Sequence, residues 1–240
     1  MFKVPNCAAW AALCLFTVIT CAYSAEPPVV VPAVTPPPKA ENVELPQADA
    51  DGWISLFDGK TFNGWYGDPK VWRVVDGCIS GKAGRVDGNT FLIYNHPFSN
   101  FVLEAKGMLI KGKGFTNSGI QYRSKVTNPE KWVLHGYQFD MGEGRWGANY
   151  QEGMRGSIWE ASEAATKVAK LFDEWNQMRI TCDGNKIKHE VNGVVSGQLD
   201  DKDPAMRELS GIIALQYHAP GMDFEVRFKD IRIKILPDSK

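Results

Sequence analysis

The chain has 240 residues, a formal net charge of -1 and hydrophobic and charged fractions of 44% and 23%. That length holds one large domain or two small ones and supplies a sizeable core. The balanced charge gives no basic field for a phosphate backbone and no acidic tail, so nucleic acid is not an expected partner.

Lys3 precedes an apolar run at residues 8–19, and small residues follow at 22–25. This is the order of a secretory signal peptide, to which residues 1–25 are assigned. The run is too short to span a bilayer comfortably. Cys21, after Thr20, also fits a lipoprotein cleavage box, though less well, and would then tether the chain to a membrane. Either way the mature chain is expected to be exported, to the periplasm or beyond. Residues 26–51 contain PPVVVPAVTPPP, whose prolines favour extended polyproline II geometry, and are taken as a linker. One domain, residues 52–240, follows. Its two cysteines, Cys78 and Cys182, sit in strand-like apolar patterns, so two separate buried thiols are favoured over one disulfide.

Strands are expected at 53–57, 72–75, 78–80, 91–94, 101–108, 119–123, 137–141, 177–182, 186–191, 211–218 and 224–235. Asp58-Gly59, Asp76-Gly77, Asp183-Gly184 and Asn192-Gly193 mark tight turns between them. Only residues 160–170, rich in Ala, Glu and Lys, suggest a short helix. Many short antiparallel strands in one domain predict an all-β fold, a two-sheet sandwich of jelly-roll type.

Side chains alternate faces along a strand, so pairs two apart point the same way. Gln121 and Arg123 oppose Ile120 and Tyr122; Gln138 and Asp140 oppose Tyr137 and Phe139; Gln216 and His218 oppose Leu215 and Tyr217; Glu104 and Lys106 oppose Phe101, Leu103 and Ala105. If these strands are neighbours, their polar faces converge on a groove of planar donors and acceptors suited to sugar hydroxyls, with Trp65, Trp132 and Trp146 available for stacking. The plainer reading is that any antiparallel sheet has one wet face. The glycine-rich run GEGRWGANYQEGMRG, carrying Glu143, Arg145, Tyr150, Glu152 and Arg155, reads as a loop over the groove's rim. His135 begins a strand and serves loop or site equally. His189 alternates with Ile187 and Val191 and reads as packed.

The segments WISLFDGKTFNGW, NSGIQYRS, HGYQFDMGEGRWGANYQEGMRGSI, EWNQMRITCDGNKIKHEVNG and GIIALQYHAPGMDFEVRFKDIRIKIL resemble, in this order, the motifs of the 3-keto-disaccharide hydrolase family. The resemblance covers nearly everything after Gly52. It implies a concanavalin A-like jelly roll, export in bacteria, and hydrolysis of glycosides whose sugar carries a ketone at carbon 3. A sugar 3-oxidoreductase would be the matching partner. Such chemistry needs a base for the carbon 2 proton, a cation near the ketone oxygen, and an acid for the leaving oxygen. His218 is the candidate base, Arg123 the candidate cation, and Glu104, Asp140 or Glu152 the candidate acid. Gln121, Gln138, Gln216, His135, Lys106, Tyr150 and Trp146 are candidate substrate contacts. No cofactor is assigned; Glu104, Asp140, His135 and His218 could furnish ligands for a divalent ion, without a compact ligand motif. The alternatives are a non-catalytic sugar-binding module and an adhesive envelope protein.

Overall fold

The computed structural model describes residues 43–84, 86, 88–218 and 223–237. The expected signal peptide, Cys21 and most of the Pro-rich linker lie outside the described residues. The linker's last residues, 43–51, run along the domain. The Val43 N–H donates to the Asn95 carbonyl at 2.8 Å, His96 Nδ1 lies 2.9 Å from the Val43 carbonyl, and Leu45 packs against the core.

The described strands are β1 (Ile54–Ser55), β2 (Trp65–Tyr66), β3 (Trp72–Val75), β4 (Cys78–Lys82), β5 (Thr90–Phe98), β6 (Phe101–Ile110), β7 (Asn117–Asn128) and β8 (Val133–Gly142). They continue with β9 (Asn149–Glu152), β10 (Gly156–Trp159), β11 (Asn176–Asp183), β12 (Lys186–Val191), β13 (Val194–Asp200), β14 (Gly211–Tyr217) and β15 (Glu225–Ile235). One sheet has the order β13-β12-β11-β6-β15-β4-β3, with β1 also paired to β15; the other has the order β10-β9-β8-β7-β14-β5-β2. All pairings are antiparallel among the described residues. The chain passes repeatedly from one sheet to the other, among other places between β5 and β6, between β6 and β7, and between β14 and β15. The expected jelly-roll sandwich is the observed fold.

Asp76-Gly77 and Asn192-Gly193 join their hairpins with both residues at positive φ (51° and 71°, 50° and 81°), as a type I′ turn demands. The helix α1 (Glu163–Val168) falls inside the expected segment, capped by Ser162, whose hydroxyl accepts from the Ala165 N–H at 3.1 Å. The strands not anticipated are β2, β9, β10 and β13. Of these, β9 lies in the glycine-rich run expected as a loop and β10 begins on its last residue; β9 reads NYQE, too polar to display apolar alternation.

Between the sheets, Phe101, Leu103, Ile180, Phe228 and Ile233 meet Ile120, Tyr122, Tyr137, Phe139, Leu215 and Tyr217, all buried. Each such aliphatic or Phe side chain stabilises the fold by about 1.5–3 kcal/mol. His189 is packed here, as expected. Its Nε2 lies 2.8 Å from the Tyr122 hydroxyl and its Nδ1 3.1 Å from the Gly147 carbonyl, and burial pulls its pKa down to about 3, so it stays neutral. Cys78 and Cys182 are free and buried.

Candidate active site

Alternation puts one set of side chains from β14, β7, β8 and β9 on the face of the seven-stranded sheet turned away from the core. There, Asn89, Phe115, Asn117, Gln138, Asp140, Arg145, Tyr150, Glu152, Ser157, Gln216 and His218 line a cavity of about 460 Å³. This volume lies within the range of small-molecule sites, of the order of 300–1,000 Å³. Register brings the residues together: Gln138 is opposite Tyr150, Gly136 is opposite Glu152, and Gln216 is opposite Gly119, which in turn is opposite Asp140.

Asp140 is nearly fully buried. Its Oδ2 accepts from Arg145 Nε and Nη2 at 2.8 and 2.6 Å, and its Oδ1 accepts from Gln138 Nε2 at 2.6 Å. Burial raises its pKa, while the bonds from Gln138 and Arg145 oppose the rise. Arg145 also reaches Glu160 on the cavity rim at 3.1 Å. Glu152 is less encumbered. Burial, and next the charge of Asp140, push its pKa upward, against a hydrogen bond with Asn89. His218 moves the other way, its pKa lowered by burial. The Phe115 ring stands edge-on to it with centroids 5.5 Å apart, and Phe115 is 59% exposed, an apolar wall at the mouth of a polar cavity.

Of the residues singled out in the sequence, Gln138, Asp140, Tyr150, Glu152, Gln216 and His218 meet here. Gln121 lies on the same face but is fully buried beside the cavity, donating from Nε2 to Gln138 Oε1 at 2.9 Å.

The others lie elsewhere. Glu104 and Lys106 belong to β6, in the opposite sheet. Glu104 accepts from Arg179 at 2.5 Å and from Arg232 at 2.6 and 3.0 Å, and Lys106 pairs with Asp230 at 2.9 Å. They line a separate hollow of about 610 Å³ beside Trp53, where their charges are met by neighbouring side chains. Alternation fixes the face within a strand but not the sheet to which it belongs, and the chain crosses between β6 and β7.

Arg123 is on the right strand but at a bulge: its φ is 47°, and the pairing slips between Tyr122 and Lys125 and between Ile212 and Ala214. Its guanidinium instead donates to the Ser99 carbonyl at 2.9 and 2.7 Å and to Asn100 Oδ1 at 3.3 Å, bracing the turn between β5 and β6. His135 pairs with Lys125 beyond that bulge and does not line the cavity. Trp146 and Trp65 are core residues. Trp132 packs on Tyr66 beyond the cavity, ring centroids 6.0 Å apart, within a small apolar cluster. The four conceivable metal ligands therefore do not converge. Among the described residues, no group of three or more His, Cys, Asp or Glu side chains is placed to hold a metal.

Asn89, Phe115, Asn117 and Ser157 were not anticipated. Asn117 had a legible signal, since it shares the parity of Gln121 within NSGIQ. Arg145 is expected only on the rim, and the tight turn at 142–145, with Gly144 at positive φ, folds it back onto Asp140.

Fold and cavity together define an all-β sandwich with a polar, small-molecule-sized site on one outer sheet face. The 3-keto-alpha-glucoside-1,2-lyase-like domain matches residues 52–234, and the chain belongs to this family. A 3-keto-disaccharide hydrolase of Bacteroides thetaiotaomicron is 31% identical over 250 aligned positions, covering 82% of each chain. Among solved structures, a candidate glycosyl hydrolase of Parabacteroides distasonis superposes with a TM-score of 0.59 at 22% identity, over 78% of this chain and 95% of its own. The carbohydrate-binding module CBM66 of Bacillus subtilis gives 0.53 at 16% identity, over 70% and 94%. At these identities the structural likeness is one of fold.

Proposed function

We propose that the protein hydrolyses the glycosidic bond of 3-keto-glycosides by elimination followed by hydration. The observation that carries this reading is that His218 and Glu152 line one cavity on the outer sheet face, where burial favours the neutral imidazole of one and the protonated acid of the other. A ketone at carbon 3 acidifies the proton on carbon 2. His218 takes that proton, and the electron pair moves onto the ketone oxygen as an enolate. The enolate re-forms the ketone while the carbon 1–oxygen bond breaks, and Glu152 gives its proton to the departing oxygen. Water then adds at carbon 1, losing a proton to the Glu152 carboxylate, and the imidazolium, whose proton exchanges with solvent in the open cavity before it is delivered, protonates carbon 2, so both groups are restored.

Asp140 has a different role. With both oxygens occupied by Arg145 and Gln138, it is an anchor rather than a proton donor. Phe115 offers the sugar an apolar wall. Family membership and the name of the Bacteroides relative support the substrate class. The same reading has the enzyme exported, given the signal-type sequence at 1–25, and supplied with substrate by a separate sugar 3-oxidoreductase.

The test is incubation of the purified protein with 3-keto-trehalose and 3-keto-lactose beside their unoxidised parents. Cleavage confined to the oxidised sugars is expected. Binding without cleavage would replace the reading with a sugar-binding module, and equal cleavage of both would replace the mechanism with an ordinary carboxylate pair.

A further inference from the structure

We propose that Gln216 is the hydrogen-bond donor for the ketone oxygen and its enolate, and that a relay of side chains beside the cavity aims it. This rests on the keto-sugar reading above. The relay is directional. Ser124 Oγ donates to Gln121 Oε1 at 2.7 Å, Gln121 Nε2 to Gln138 Oε1 at 2.9 Å, and Gln138 Nε2 to both Asp140 Oδ1 at 2.6 Å and Gln216 Oε1 at 3.3 Å. Its sense is set at Asp140: Arg145 occupies Oδ2, so Oδ1 faces Gln138 as an acceptor, and the Gln138 nitrogen must point that way. Turning any one amide over would set oxygen against oxygen or nitrogen against nitrogen. Gln121 and Gln216 are fully buried and Gln138 is 3% exposed, so water does not readily scramble the order.

The relay leaves one group over. Gln216 turns its oxygen to Gln138 and leaves Nε2 buried, without a hydrogen-bond partner, in a side chain that lines the cavity. Buried amide N–H groups nearly always have a partner, and one without is explained when a ligand's acceptor supplies it. The free atom is a donor only. A ketone oxygen is an acceptor only, and its demand for a donor grows as enolate charge develops. Gln216 and His218 stand two residues apart on the same side of the chain, with α-carbons about 7 Å apart. A donor for the oxygen on carbon 3 beside a base for the proton on carbon 2 matches that neighbourhood. Gly119 makes the arrangement possible: a Cβ there would lie 2.7 Å from Gln138 Cγ and Cδ, so the bare backbone lets the Gln138 amide cross β7 toward Gln216.

The test uses 1,5-anhydro-3-keto-glucitol, which has no leaving group at carbon 1 and can be bound and enolised but not cleaved. Carbon 2 hydrogen–deuterium exchange is followed by NMR in heavy water, and affinity is measured by calorimetry against 1,5-anhydroglucitol. Wild type is expected to exchange carbon 2 and to prefer the ketone. Gln216→Met and Gln216→Glu are expected to slow exchange by about 10²- to 10³-fold, the scale of losing one oxyanion donor, and to lose the preference. Gln121→Met removes a residue that does not line the cavity, and is expected to slow exchange at least about tenfold through misdirection of Gln138. Retention of exchange within about threefold of wild type in both well-folded Gln216 variants would overturn the assignment. If wild type exchanges the probe but cleaves no 3-keto-glycoside, the hydrolase reading falls and the variants still decide the role of Gln216. If it cleaves while the variants exchange normally, the relay falls and the hydrolase reading stands. Absence of both exchange and preference in wild type would remove both.

Discussion

His218 and Glu152 are the residues on which the proposed chemistry turns, and each makes a separable prediction. His218→Ala is expected to lower kcat by about 10²- to 10⁴-fold on a 3-keto-disaccharide, the usual scale for a lost general base, with an unchanged melting temperature. Glu152→Gln is expected to lower kcat/KM strongly for sugar leaving groups and to spare it for a nitrophenolate, which departs without a proton before water adds; equal losses in kcat/KM on both would remove Glu152 as the acid. The pH profile follows from the same pair. His218 must be neutral, so kcat/KM rises with pH through a limb that burial moves below the ordinary 6.5 of histidine. Glu152 must be protonated, so the rate falls again through a limb that burial moves above the ordinary 4.5. In Glu152→Gln, assayed with the nitrophenyl substrate, the alkaline limb is expected to vanish and the acid limb to remain. Arg123 makes the opposite case. Because it braces the carbonyl of Ser99 and not the sugar, Arg123→Met is expected to lower stability by about 1–3 kcal/mol by removing the charged hydrogen bonds that tie Ser99 and Asn100 to β7, while turnover per folded molecule holds. Denaturant unfolding beside single-turnover kinetics separates the two effects.

Period-two alternation was the informative signal at the scale of the strand. It aligned Gln138 with Asp140 and Gln216 with His218 correctly, because β8 and β14 run without a bulge at those positions. It failed for Arg123, where a bulge interrupts the count, and it could not tell that β6 joins the opposite sheet from β7, because sheet membership depends on contacts far apart in sequence. Tyr150 and Glu152 line the cavity from a strand where a loop is expected; that strand is four residues long and gains its order by pairing with β8. Gly119 shows what sequence alone does not reveal: a glycine within a strand, here kept clear for the side chain of a neighbour. Gly119→Ala is expected to displace Gln138 and lower kcat at least about tenfold, the scale of a misplaced catalytic array, while the far-ultraviolet circular dichroism of the sheets is unchanged. Unaltered kcat would show that Gln138 has room the structure does not indicate.

The sandwich as a whole was legible because its punctuation is local. Asp76-Gly77 and Asn192-Gly193 specify hairpins without reference to anything distant, and apolar residues at every second position require a partner sheet. The domain's lower boundary depends instead on contacts across the fold, where Val43 and Leu45 lie against β5 and the core. A chain beginning at residue 43 is therefore expected to melt several degrees above one beginning at residue 52, since each kcal/mol amounts to about 2–4 °C in Tm for a domain of this size. The central claim, that this domain breaks a glycosidic bond by way of an enolate, is tested most directly by cleaving 3-keto-trehalose in heavy water and reading deuterium at carbon 2 of the released keto-sugar by mass spectrometry and NMR. Incorporation of deuterium at carbon 2, with no cleavage of trehalose itself, is the expected result. Release of a keto-sugar that keeps its original carbon 2 hydrogen, together with cleavage of unoxidised trehalose at a similar rate, would contradict it.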